Sequence, residues 1–142
     1  MIYTEKTKKA LRFCIEAHKD QFDKSGIPYV LHPYHLAVQM ETEETTIVAL
    51  LHDIVEDTEY TFEDLEKMEF GESVIDALKL LTHDDSTPYM EYVLAAKQNP
   101  IARTVKLADL RHNSDISRLD VVTEKALERR EKYLKAIALL EE

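Results

Sequence analysis

The chain has 142 residues, enough for one domain that buries roughly two-thirds of the surface its unfolded form exposes. Two glycines and four prolines are too few for a sandwich of short strands, and the abundance of Ala, Leu, Glu and Lys favours helices, so an all-α fold is expected. A formal charge of −10, with no block of Lys/Arg, excludes long nucleic acids as partners. A pocket holding a cation and a few basic side chains can still take a small polyphosphate.

Turn signals divide the chain into about seven or eight helices. The first is predicted from about Thr4 to Asp20, with Ala10, Phe13, Cys14 and Ala17 on one face at helical spacing. The lone Cys14 cannot form an internal disulfide and reads as a small buried hydrophobe in a reducing, cytoplasmic setting. Lys24-Ser25-Gly26-Ile27-Pro28 breaks this helix, and Pro33 at a first helical position makes His32 the expected cap of a short helix through Met40. A helix from Glu43 to Asp57 follows. Thr61 and Asp64 form a capping-box pattern that opens a helix to about Glu69, which Gly71 ends. Further helices are expected over Glu72 to Leu81, Pro88 to Gln98 and Ile101 to His112, the last two separated by Asn99-Pro100. Thr123 caps the final helix, whose Ala126, Leu127, Leu134, Ile137 and Leu140 would pack on the core or on a second copy of the chain. No leader segment, membrane span or internal domain boundary is expected.

The stretch Leu50-Leu51-His52-Asp53-Ile54-Val55-Glu56-Asp57-Thr58 sets four ionisable groups in an apolar run. On a helix, His52, Asp53, Glu56 and Asp57 share an arc of roughly 140° while Ile47, Val48, Leu51, Ile54 and Val55 face the other way. Two readings fit: a solvated face, or a metal site whose cation relieves the repulsion among three carboxylates that no Lys or Arg at i±3 or i±4 offsets. One helical turn cannot surround an ion. His32, at a loop-to-helix junction, and Asp109, interrupting Val105-Lys106-Leu107-Ala108-Asp109-Leu110 with Asn113 one turn on, are the candidates for the remaining ligands. Two His and two Asp suit Mn²⁺, Fe²⁺ or Zn²⁺ and are too poor in sulfur for a closed structural zinc site. Hydrolysis of a phosphate ester follows naturally from such an open site.

His32, the His52-Asp53 doublet and Asp109, in that order, resemble the HD phosphohydrolase superfamily. Ala17-His18 with Gln21, Lys24-Ser25-Gly26-Ile27-Pro28-Tyr29-Val30-Leu31-His32-Pro33, His52-Asp53-Ile54-Val55-Glu56-Asp57-Thr58 and Val105-Lys106-Leu107-Ala108-Asp109 with Asn113 together resemble the hydrolase domain of RelA/SpoT proteins and the stand-alone small alarmone hydrolases. The likeness runs from about residue 10 to residue 115. It implies an HD-domain helical bundle that removes the 3′-pyrophosphate from guanosine tetra- or pentaphosphate with Mn²⁺, or with another divalent cation such as Fe²⁺, Zn²⁺ or Mg²⁺. In that picture His32, His52, Asp53 and Asp109 hold the metal. Glu56 and Asp57 position or deprotonate the attacking water and manage the proton to the leaving group, and Lys24, Ser25 and Asn113 contact nucleotide or phosphate. His18 would support the site by hydrogen bonding, while Lys106 and Arg103 are either phosphate partners or surface cations.

Two positions depart from the family pattern. Asp23 stands where the family has an arginine that stacks on the nucleobase, and Ile116 where it has a nucleotide-contacting threonine. Both touch base recognition rather than metal chemistry. Alternative readings are therefore an HD-type phosphatase for another nucleotide or phosphate ester, and a non-catalytic nucleotide-binding HD protein. The 142 residues are read as a single HD domain, without the synthetase and regulatory domains of full-length RelA/SpoT proteins.

Overall fold

The computed structural model describes residues 1–142 and is all-α. Eight helices, a single helical turn and one 3₁₀ turn follow in order: α1 (Glu5–Ala17), α2 (Leu31–Ala37), α3 (Glu43–Leu51), the turn α4 (Ile54–Asp57), α5 (Phe62–Lys67), α6 (Glu72–Leu81), α7 (Tyr89–Lys97), α8 (Pro100–Asn113), the 3₁₀ turn Ile116–Arg118, and α9 (Glu124–Glu141). The only β pairing is an isolated bridge between Phe22 and Pro28, which closes the loop before α2. No helix is long and apolar enough to cross a membrane.

Side-chain caps set most helix starts. Thr4, Thr42, Thr61 and Thr123 each accept from the backbone N–H three residues on, and Thr61 with Asp64 forms the expected reciprocal box. Asn99 caps α8 ahead of Pro100, whose missing N–H costs nothing at a first helical position. Helix α3 is buried all round, from Thr45 to Leu51, because α1, α2, α6 and α8 pack against it. Leu36, Ile47, Leu50, Ile54, Leu65 and Leu78 are fully buried in the main core around it, each stabilising the fold by about 1.5–3 kcal/mol. A smaller core joins α7, α8 and α9 through Tyr92, Val93, Leu110, Ala136 and Leu140.

Two expectations are corrected here. The helix expected from Glu43 to Asp57 is interrupted at His52-Asp53. The His52 imidazole Nδ1 donates to Ala49 O at 2.7 Å, occupying the carbonyl that Asp53 N–H would use in an unbroken helix. His32 is not a cap: Leu31 N and His32 N already turn back onto Pro28 O and Tyr29 O, so α2 starts earlier and Val30 is its cap residue. On α9, Leu127 and Leu134 are exposed, whereas Ala126 and Leu140 are buried as expected.

Cys14 is buried on α1, and burial, followed by the negative charge of Asp53, pushes its thiol up to about 12. A thiol reagent at pH 8 is expected to leave Cys14 unmodified in the folded protein and to label it fully in denaturant. Rapid labelling of the native state would contradict this burial.

Candidate metal centre

Four helical segments converge on one buried point. His32 comes from the first turn of α2, His52 and Asp53 from the break between α3 and α4, and Asp109 from the middle of α8. Because α3 is buried between α2 and α8, its C-terminal break delivers the doublet between the other two contributors. One ligand atom each from His32, His52 and Asp109 lies within 4.8 Å of the other two, and all three residues are buried. His32 Nε2 and His52 Nε2 stand 2.9 Å and 3.5 Å from Asp109 Oδ1. Asp53 Oδ2 is 3.0 Å from His52 Nε2 and 3.9 Å from His32 Nε2.

The donor set fits a divalent cation. A carbonyl can only accept, so the bond to Ala49 O puts the His52 proton on Nδ1 and leaves Nε2 with its lone pair when the ring is neutral. That buried Nε2 has no hydrogen-bond partner: Asp53 is close to it but off the bonding direction. An orphaned imidazole nitrogen among carboxylates, with no cysteine at the site, is the arrangement expected of a mixed nitrogen and oxygen metal site. Burial alone would lower the His52 pKa, but the Asp53 and Asp109 carboxylates raise it well above the usual imidazole range. A cation would take the place of that proton.

Each carboxylate is oriented from outside. The Asp109 Oδ2 accepts from Lys106 Nζ at 3.1 Å, and its Oδ1 accepts from Asn113 Nδ2 at 3.0 Å. Burial would raise the Asp109 carboxyl, yet the Lys106 ammonium and the two imidazoles hold it well below the usual carboxylate range. Tyr29 donates its hydroxyl to Asp53 Oδ2, and burial, then the Asp53 charge, keeps that phenol protonated. Behind Tyr29 lies His18, buried, with its ring centroid 5.1 Å from that of Tyr29 and its Nδ1 against Gln21 Oε1 at 2.7 Å.

Two cavities flank this centre. A small one of about 30 Å³ is lined by His52, Asp53, Glu56, Lys106 and Asp109 among others, with room for about two waters. Glu56 accepts from the backbone N–H of His83, and burial, with the charges of Asp53 and Asp57, raises its carboxyl. Asp57 is raised by burial and then by Asp53, but it does not line this cavity. A larger cavity of about 600 Å³ opens on the other side, onto His32. Its wall includes the expected substrate contacts Lys24, Ser25 and Asn113 and both departures from the family pattern, Asp23 and Ile116.

The loop carrying Lys24 and Ser25 is tightly organised. Asp23 Oδ1 accepts from Ser25 N and Ile27 N, and Gly26 takes φ +78°, a left-handed conformation that suits glycine. The Ser25 hydroxyl donates to Arg118 O and accepts from Asp120 N, so it binds the segment before α9. Asp23 Oδ2 lies 3.9 Å from Arg118 Nη2, placing a guanidinium beside the acid that replaces the family's arginine. Arg103, considered above as a phosphate partner, instead donates from Nε to Leu140 O on α9. Local sequence pattern assigns no role to Tyr29 or to His112, whose ring stands against His32. The spacing His112 = Asp109 + 3 was the available signal for the latter.

The HD domain family model matches residues 10–113. The chain belongs to the HD domain family. This HD domain is 33% identical over 119 residues to the guanosine-3′,5′-bis(diphosphate) 3′-pyrophosphohydrolase of Aquifex aeolicus, covering 75% of the chain and 17% of that protein. It is 36% identical over 118 residues to the Danio rerio protein of that name, MESH1, covering 74% of the chain and 65% of its relative. A solved structure described as a metazoan ortholog of SpoT that hydrolyzes ppGpp and plays a role in starvation responses superposes with a TM-score of 0.77 at 26% identity, covering 99% of this chain and 87% of that one. The chain thus spans about a sixth of the bacterial relative and about two-thirds of the zebrafish one.

Proposed function

We propose that this HD domain is a divalent-metal-dependent nucleotide hydrolase that releases pyrophosphate from the 3′ position of guanosine tetra- or pentaphosphate. The observation that carries the reading is the buried meeting of His32, His52 and Asp109 beside Asp53, set between a water-sized cavity containing Glu56 and a nucleotide-sized one containing Lys24 and Asn113. The names of its relatives supply the substrate class. His32, His52, Asp53 and Asp109 would hold the ion, with Mn²⁺ the favoured metal for this nitrogen and oxygen set. When bound, such a cation polarises phosphoryl oxygens and makes nearby water more acidic.

The chain's own groups divide the remaining work. Water adds to the phosphorus attached to the 3′ oxygen, the bond between them breaks, and the ribose oxygen gains a proton. Glu56, with its raised carboxyl in the small cavity, accepts the proton that the water loses. Asp57, also raised, serves the leaving oxygen. Lys106 keeps Asp109 oriented through Oδ2, and Lys24 with Arg118 brings positive charge to the larger cavity of an otherwise acidic protein.

Asp23 favours a second reading in which the base differs from guanine, since an acid and Arg118 together offer an acceptor and a planar donor in place of a single cation. A panel of nucleotides incubated with Mn²⁺, following pyrophosphate against orthophosphate, separates the two. Pyrophosphate release from the guanosine tetraphosphate above other bases is the expected result. Orthophosphate from nucleoside monophosphates alone would reject the alarmone assignment, and tight nucleotide binding without hydrolysis over hours would make the protein a sensor.

A further inference from the structure

We propose that His112 is the positioning residue that presents His32 to the metal, its Nδ1 accepting the Nδ1–H of His32 so that the His32 Nε2 lone pair faces the ion. The proposal rests on the metal centre argued above. The two Nδ1 atoms lie 2.7 Å apart, the ring planes differ by 5°, and the centroids are 5.0 Å apart. With rings this nearly parallel and nitrogens this close, the imidazoles meet edge to edge in an in-plane N–H···N bond. His35 covers the face of the His112 ring at 4.0 Å between centroids, and Arg118 Nη1 donates to the His112 backbone carbonyl, anchoring the end of α8 that carries it.

Between two imidazole nitrogens, one must carry the proton and the other the lone pair. A cation at His32 Nε2 requires a bare nitrogen there, which puts the His32 proton on Nδ1 and makes His112 Nδ1 the acceptor. His52 achieves the same orientation through Ala49 O, a partner whose direction is fixed. His112 differs because an imidazole can take either part. Without metal, His32 Nε2 can donate to Asp109 Oδ1 at 2.9 Å and accept at Nδ1 from His112. Loading the ion therefore reverses the His32–His112 bond and converts His112 to its Nε2–H form. A metal-binding histidine commonly donates its second N–H to a carboxylate or carbonyl; here that partner itself changes state with the ion.

Mn²⁺ dissociation constants, read from free Mn²⁺ by electron paramagnetic resonance, test this in the full chain. His112→Phe keeps the ring against His32 and His35 without an acceptor; His112→Asn places a carbonyl oxygen near the position of Nδ1. The phenylalanine variant is expected to bind Mn²⁺ about ten- to hundred-fold more weakly, and the asparagine variant within about threefold of wild type. In Zn²⁺-loaded protein, nitrogen-15 spectra should show His112 protonated at Nε2 and bare at Nδ1, the reverse of the metal-free protein. Wild-type affinity in His112→Phe, equal weakening in both variants, or a proton on His112 Nδ1 in the loaded protein overturns the proposal while leaving the metal centre intact. A wild-type chain that takes up no Mn²⁺ overturns the centre itself, and the role of His112 with it.

Discussion

Asp109→Ala is expected to lose the bound cation, to lower turnover by at least about 10³-fold, and to cost about 3–5 kcal/mol of stability. The first two effects follow from Oδ1, which meets both His32 and His52 at the centre. The third follows from Oδ2, the counter-ion of Lys106 in a pair whose side chains are 9% and 11% exposed. Truncation leaves a buried ammonium facing the Tyr92 ring without its counter-ion. Asp53→Ala is the comparator: it should lose the metal and turnover with a smaller stability loss, since no lysine depends on it. Elemental analysis of dialysed protein and urea unfolding of both variants check the pair. Stoichiometric metal in Asp109→Ala would remove it from the ligand set, and an unchanged unfolding midpoint would refute the dependence of Lys106.

Glu56→Gln should leave metal content unchanged while lowering turnover by about 10²–10⁴-fold, the range for losing a positioned proton acceptor. Glutamine keeps the volume and can still accept from His83 N–H, so the loop after α6 stays in place. What disappears is a carboxylate raised by its burial and by Asp53 and Asp57, in a cavity with room for about two waters. Single-turnover assays beside elemental analysis separate chemistry from metal loss. A fully active Glu56→Gln protein would take that residue out of the mechanism.

The all-α fold, the caps at Thr61 and Thr123, the break at Asn99-Pro100 and the span of α6 are legible from local chemistry, because capping residues and turn residues act within four positions of themselves. The interruption at His52-Asp53 is not, since apolar periodicity continues through it and the cause is a side chain competing for Ala49 O. The set His32, His52, Asp53 and Asp109 stood out as chemistry in apolar surroundings. Their orienting partners did not: Tyr29 reaches Asp53 across 24 positions and His112 reaches His32 across 80, contacts that only tertiary packing creates. Lys106 and Asn113 were closer to view, three and four residues from Asp109 on the same helix, but nothing local says that their polar ends turn inward to one carboxylate.

The bonds from Ser25 to Arg118 O and Asp120 N join the loop before α2 to the segment before α9 at the larger cavity, whose wall also includes Ala126, Arg129 and Tyr133 of α9. All of these wall residues lie beyond position 113, where the match to the family model stops. The cavity is therefore built from two stretches of chain, with Asp23, Lys24, Ser25 and Asn113 inside the matched region and Ala126, Arg129 and Tyr133 in the tail after it. Substitutions in that tail would reshape one wall of the cavity without touching His32, His52, Asp53 or Asp109, while the wall at Asp23, Lys24, Ser25 and Asn113 would stay as it is.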